Sequence, residues 1–214
     1  MPAFQHACFV SYRHGQGAIK RRFVEEFTRA LRDELELLRD QRPYVDMERL
    51  TGGDFFNQAL ARALYGSATF VIVYQPNYFD LLHPYCAREY RAMRALEQER
   101  LSLLPTPEER DHGLIIPVIL RSPEGLPPEL RGARQFEDFR KFMLMDDDIS
   151  RHPLYAPRVR VIAEYINRRC QCLEAAHIPF DSADAFQLPG EDETRLWIQN
   201  LALPRVGFPG AKEV

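Results

Sequence analysis

Apolar residues follow two alternating patterns along the chain. Short apolar runs predict five β-strands, at residues 7–12, 43–47, 69–74, 114–120 and 134–139. The first, third and fourth runs are almost continuously apolar and rich in Val or Ile, which is typical of parallel strands covered on both faces. Apolar residues at three- and four-residue steps predict helices over 20–38, 54–65, 84–100 and 157–173. This alternation predicts a doubly wound α/β domain with right-handed crossovers.

The pattern breaks at two places. Residues 121–133 form a Pro/Gly-rich segment where a crossover helix would be expected, and residues 177–214 contain four prolines and little periodicity. We therefore predict one domain over residues 1–176 and a C-terminal extension, 177–214, that packs on the domain or on a partner. Pro117 interrupts the fourth strand, and because proline lacks an N–H we expect an edge position or a bulge there.

Composition limits the classes of partner. A formal net charge of −3 gives no electrostatic argument for binding nucleic acid or an anionic membrane. No apolar run is long enough to span a bilayer, and the first residues lack the basic and apolar regions of a signal segment. Four unevenly spaced cysteines do not form a disulfide framework. We expect a cytoplasmic protein with reduced thiols.

Three unusual segments follow the first three predicted strands: residues 11–17, 46–54 and 75–78. Ligands of open parallel sheets bind outside the carboxyl ends of the strands. The convergence of three such segments on one edge therefore predicts a ligand site there.

Glu89 is placed unusually on the helix that follows the third segment. At about 100° per residue, it falls in the apolar sector formed by Cys86, Tyr90, Met93 and Leu96. A carboxylate near a helix N-terminus is often explained by the helix dipole alone. Standard nucleotide motifs are absent, because Lys20 stands where a dinucleotide fingerprint after Gly15 and Gly17 needs its third glycine.

Four ordered motifs resemble the successive boxes of a Toll/interleukin-receptor (TIR) domain: FVSYRH, YVDMERLTGGDFF, SATFVIVYQPNYF and PYCAREY. The resemblance covers roughly residues 5 to 170 and extends to compact prokaryotic members that consume NAD. It implies a flavodoxin-like five-stranded parallel sheet flanked by helices. It also implies that the loop at about residues 47–54 controls access and self-association.

The resemblance implies an NAD-consuming enzyme that cleaves the bond between nicotinamide and ribose. The expected products are ADP-ribose, a cyclic isomer or a base-exchanged nucleotide, made in the cytoplasm for antiphage defence and read by a downstream effector. NAD is the substrate, and no cofactor or metal is expected. The catalytic residue would be Glu89, in a W-x-x-x-E pattern whose first position is Tyr85 in this chain.

We expect five residues to bind the substrate: Tyr12, Arg13, Gly53, Phe55 and Tyr85, of which the resemblance itself suggests Phe55 and Tyr85. Arg13 would bind the pyrophosphate, since a guanidinium recognises phosphate oxygens in a bidentate manner. Phe55 would lie beside the nicotinamide. Alternatively, Tyr12 and Arg13 only end the first strand, Phe55 belongs to the core, and Gly53 serves a positive φ or a close backbone approach.

Other functions compete with this one. A non-catalytic TIR adaptor would act through homotypic contacts of the 47–54 loop. A nucleoside deoxyribosyltransferase-like enzyme would share the sheet and the glutamate but not that loop. A response-regulator receiver needs an acidic pair after its first strand, which this chain lacks. Cys170, Cys172 and His177 are a poor tetrahedral set, so we interpret them as structural residues rather than metal ligands.

Overall fold

A computed structural model describes the central sheet and most of its surroundings. The described residues are 4–15, 17–45, 54–121, 130, 137–144, 148–178 and 185–201, without the side chains of 54–56 and 144. The described strands form one parallel sheet in the order β2-β1-β3-β4-β5. Their bounds are β1 His6–Tyr12, β2 Tyr44–Val45, β3 Ser67–Tyr74, β4 Ile115–Ile119 and β5 Glu137–Asp138.

Helices connect and cover these strands. Their bounds are α1 Ala18–Glu36, α2 Asp54–Tyr65, α3 Tyr85–Ser102, α4 Pro107–Asp111, α5 Tyr155–Ala175 and α6 Glu191–Asn200. In the described part of the chain, two 3₁₀ turns lie at Arg140–Leu144 and Ile149–Arg151. The parallel sheet between helices confirms the predicted flavodoxin-like α/β fold, and its strand order places a ligand crevice between β1 and β3.

The core forms where the apolar runs predicted it. All eight residues of β3 are buried, and five residues of β1 are buried. Because β3 is the middle strand of the sheet, helices cover both of its faces, so every side chain along it meets protein. β1 pairs with β3 in a register that sets Ser11 opposite Ile72. Ser11 is therefore a buried hydroxyl near the carboxyl end of a central strand.

Three local features differ from the sequence-based prediction. The described part of β5 has two residues, Glu137–Asp138, against the predicted 134–139. Pro117 lies opposite Ile72 in β4, an interior strand rather than an edge. The described pairing of β5 with β4 begins only at Val118. Helix α4 was not predicted, because it is too short to show a periodic pattern. The Thr106 side chain caps its start by accepting a hydrogen bond from the Glu109 N–H.

Residues 185–201 pack against α2 and α3. The Arg88 Nε donates to the Pro189 carbonyl at 2.7 Å. The Trp197 ring lies 5.4 Å from that of Phe79 and 5.8 Å from that of Tyr90. This contact joins the C-terminal helix α6 to the helix that carries Glu89. Among the described residues, no helix combines the length and the apolar character needed to cross a membrane.

Candidate functional site

Glu89 lies at the carboxyl edge of the sheet, one turn into α3. Pro84 precedes α3 with a φ of −76°, which proline adopts without strain. Glu89 is only 8% exposed, and Cys86 and Tyr90 beside it are buried too. The apolar face of α3 therefore packs on the domain as its pattern predicted, and it carries a carboxylate inward.

Two hydroxyl groups meet this carboxylate. The Ser11 Oγ donates to Glu89 Oε2 at 2.5 Å, and the Tyr78 hydroxyl oxygen lies 2.5 Å from the Ser11 Oγ. A serine hydroxyl has one proton, and that proton forms the hydrogen bond from Ser11 to Glu89. Tyr78 is consequently the donor to Ser11, so the three side chains form a directed chain from Tyr78 through Ser11 to Glu89.

Tyr78 stays protonated in this arrangement. Its side chain is fully buried, and burial raises the pKa of Tyr78 well above its ordinary value, with further increases from Cys86 and Glu89. The tyrosine therefore acts as a hydrogen-bond donor over the pH range in which proteins function.

A narrow crevice, too small to admit a water molecule, is lined by Glu89, Ser11, Tyr12 and His14. Tyr12 and His14 also line a neighbouring pocket of about 120 Å³, together with Gly15, Lys20 and other residues of α1. The Tyr12 and His14 rings stack, with centroids 4.5 Å apart. These two rings form the wall shared by the carboxylate crevice and the larger pocket.

The larger pocket is basic. Lys20 and Arg21 both line it, against a single carboxylate there, Glu25. Partial burial lowers the pKa of Lys20, and the nearby Arg13 lowers it further, although Cys86 acts in the opposite sense. A side-chain carbon at Gly15 would lie 2.7 Å from the Lys20 Nζ, so the ammonium group lies directly over this glycine. A bound anion would relieve the repulsion between these cations.

The structure also places the residues that the sequence predicted to bind substrate. The Arg13 guanidinium forms an ion pair with Asp80 at 2.7 Å, which ties the segment after β1 to the segment after β3. Tyr85 is half-buried at the first turn of α3, and the Arg88 guanidinium lies 5.8 Å from its ring centre. Tyr12 lies on the pocket wall described above. The structure thus brings Tyr12, Arg13 and Glu89 to one edge of the sheet.

Residues 47–53 of the predicted access loop, which include Gly53, lie outside the described residues. Phe55 belongs to the first turn of α2, but its side chain lies outside the described part as well. The roles predicted for Gly53 and Phe55 therefore stay predictions.

Sequence reasoning did not single out Ser11, Tyr78 or Lys20. Ser11 and Tyr78 lie in the two segments predicted to converge, yet nothing in either segment shows that both side chains turn toward Glu89. The signal for Lys20 was its position at the start of a helix, where a cation opposes the helix dipole.

Two of the four thiols, Cys8 and Cys170, are poor candidates for chemistry. Burial raises the pKa of Cys170 to about 12 and also raises the pKa of Cys8, so both remain protonated thiols. Within the described ranges, no group of three His, Cys, Asp or Glu residues is arranged to hold a metal ion. The described part of this sheet edge thus presents a hydrogen-bonded carboxylate beside a basic pocket.

Comparison with known families gives one match. A family model described as "TIR domain" matches residues 8–152, a span of more than half the chain that includes Glu89, Ser11, Tyr78 and Lys20. Comparisons with curated proteins and with solved structures gave no match.

Proposed function

Because the chain belongs to the TIR domain family, we propose that it cleaves the N-glycosidic bond between nicotinamide and ribose in NAD. The observation that carries the proposal is the buried Glu89 carboxylate, hydrogen-bonded to Ser11 and lining a narrow crevice beside a basic pocket. Enzymatic members of the family use one glutamate for this reaction, which the sequence resemblance assigns to Glu89.

The chemistry suits a single carboxylate. When the C1–N bond breaks, nicotinamide leaves with the bonding electrons as a neutral molecule, and positive charge spreads over C1 and the ring oxygen of the ribose. A fixed carboxylate stabilises that charge as it develops. Water or another nucleophile then adds to C1 and releases a proton. A neutral leaving group needs no general acid, so a second carboxylate is unnecessary.

The basic pocket supports a dinucleotide substrate. Lys20 and Arg21 line it, and it shares the rings of Tyr12 and His14 with the crevice of Glu89. We propose that the pyrophosphate lies against Lys20 while the nicotinamide ribose reaches Glu89. Arg13, which the sequence suggested for this role, is held by Asp80 and would support the loop instead.

The direct test is incubation of the purified protein with NAD, with the products resolved by mass spectrometry. We expect nicotinamide together with ADP-ribose, a cyclic isomer or a base-exchanged nucleotide. Glu89→Gln keeps the side-chain shape but removes the charge, so turnover should fall about 10²- to 10³-fold while the fold persists.

Glu97→Gln is the matched control. Glu97 is a second buried carboxylate on α3, at 3% exposure, and accepts hydrogen bonds from the N–H groups of Leu114 and Ile115. It lies eight residues, or about 12 Å of helix, beyond Glu89. Equal losses in the two variants would indicate damage to α3 and would remove Glu89 from the mechanism.

We further propose that the product is a signalling nucleotide in antiphage defence, read by a downstream effector. Phage challenge of cells that express the wild type or Glu89→Gln tests this role, and equal protection by both would contradict it. The alternative is a non-catalytic adaptor. An absence of NAD turnover at every protein concentration, in a folded protein that still self-associates, would favour the adaptor.

A further inference from the structure

We infer that Ser11 and Tyr78 are positioning residues, which hold the Glu89 carboxylate in the orientation that the reaction needs. This inference rests on the proposed function and goes beyond it, because neither residue belongs to the aromatic–glutamate pattern. It follows from the hydrogen-bond chain that joins Tyr78 to Ser11 and Ser11 to Glu89, with both oxygen–oxygen distances at 2.5 Å.

Each member of the chain is held on a different element. Ser11 belongs to β1, where its register opposite Ile72 fixes the backbone. Tyr78 follows β3 in a turn, and the backbone N–H of Tyr78 donates to the Gln75 carbonyl at 2.8 Å. The Tyr78 ring meets that of Phe79 edge-on, with centroids 5.0 Å apart. Groups locked by packing on rigid elements give an active site its precision.

Burial strengthens the chain. Ser11 is 1% exposed and Tyr78 0%, so water does not compete effectively for their hydroxyl groups. A hydrogen bond to an ionised carboxylate is stronger than a neutral one, and low local dielectric strengthens it further. Because Tyr78 donates to Ser11, it polarises the Ser11 hydroxyl toward the carboxylate. The chain therefore fixes Oε2 and favours the ionised form of Glu89.

A residue that only stabilises the fold and a residue that positions Glu89 have different effects on the kinetic constants when they are replaced. Ser11→Ala removes the hydrogen bond to Glu89, so kcat should fall about 10- to 100-fold with little change in KM. Tyr78→Phe keeps the packed ring and removes only the outer hydroxyl, so we expect a loss of about 3- to 10-fold. Ser11→Thr retains a hydroxyl group and should recover most of the activity.

The double variant is the sharpest test. If Tyr78 acts through Ser11, Tyr78→Phe should add no further loss once Ser11 is alanine, so the double variant should match Ser11→Ala. Additive losses would overturn the inference. The control is Ser67→Ala, which removes another fully buried hydroxyl group. This hydroxyl donates a hydrogen bond to the Ala63 carbonyl at 2.7 Å, and its loss should leave kcat unchanged.

The pH profile gives an independent readout. Loss of a hydrogen bond to the ionised carboxylate should move the acidic limb of kcat to higher pH in Ser11→Ala. Titratable groups near the chain include Tyr12 and His14 in the crevice and Cys86 on α3. The shift should therefore persist in a His14→Gln background, which removes the imidazole.

The positioning inference can be separated from the proposed reaction. A ¹³C NMR titration of the Glu89 carboxyl group needs no substrate, and its midpoint should move to higher pH in Ser11→Ala. If the wild type does not cleave NAD but the midpoint moves, the proposed function fails while the hydrogen-bond inference stands. An unmoved midpoint would overturn the inference whatever the activity.

Discussion

At the scale of single residues, Lys20 is one of the two cations, with Arg21, that line the basic pocket. It makes no ion pair with another described residue, whereas Arg13 pairs with Asp80. We predict that Lys20→Met raises KM for NAD about tenfold and changes kcat little, since the lost contact serves binding rather than the reacting carbon. The control is Lys141→Met, an exposed lysine beside Phe142. A KM equal to the wild type would contradict the assignment.

The shifted pKa of Lys20 gives this contact a pH dependence. Burial and then Arg13 lower the pKa of Lys20, so its ammonium loses its proton at a lower pH than an ordinary lysine does. The affinity for the phosphates should accordingly weaken as pH rises into the alkaline range, and Lys20→Met should abolish that part of the dependence. Steady-state KM measured across the alkaline range checks this expectation.

Tyr85 is the aromatic residue of the glutamate pattern, one turn before Glu89 and half-buried. If its ring packs on the nicotinamide or the ribose, Tyr85→Ala should lower activity, and Tyr85→Trp should preserve or raise it. Thermal melting shows whether both variants fold. If Tyr85→Ala loses stability in proportion to activity, and Tyr85→Trp does not raise the activity, the ring belongs to the core.

At the scale of elements, α6 is held against α3 by side-chain packing and by ion pairs between the two helices. Thr194, on the face of α6 toward α3, is fully buried, and Trp197 contacts Phe79 and Tyr90. We predict that Trp197→Ala lowers the free energy of unfolding by about 2 kcal/mol through the cavity it leaves. Leu196→Ala, at a site 61% exposed, should change it by less than about 0.5 kcal/mol. Urea denaturation measures both, and equal effects would contradict the packing argument.

At the scale of the whole molecule, we predict that activity depends on assembly. The formal net charge of −3 puts little repulsion in the way of self-association, and the glycines of the 47–54 loop tolerate backbone angles that other residues avoid. Turnover per subunit should therefore rise with protein concentration. Specific activity measured beside light scattering tests this, and a strictly monomeric protein with a flat, fully active profile would rule it out.

Gly53→Pro should abolish that rise, because proline fixes φ and restricts the loop. Gly190→Pro is the control, since Gly190 already has a φ of −60° and no described atom lies within 4 Å of the position that its side chain would take. Loss of concentration dependence in both variants would show that the effect is not specific to the loop.

The sequence by itself determined the sheet and the helix that carries Glu89, because both depend on local periodicity. The continuous apolar run of β3 indicates a strand buried on both faces. The apolar sector through Cys86, Tyr90 and Met93 indicates a helix, α3, with one buried face. The period of a helix then places Glu89 inward without any knowledge of its neighbours. The motifs that resemble a TIR domain lie on these same elements, so the family could be inferred too.

Only the tertiary structure decided what surrounds that carboxylate. Ser11 and Tyr78 are 67 residues apart and Ser11 and Glu89 are 78 apart, and no local pattern encodes a hydrogen bond between hydroxyl groups at such separations. The same limit applies to Arg13, whose pairing with Asp80 depends on two loops meeting at the sheet edge. Periodicity specifies which face of an element is buried, whereas the partner of a buried polar group depends on how the elements pack.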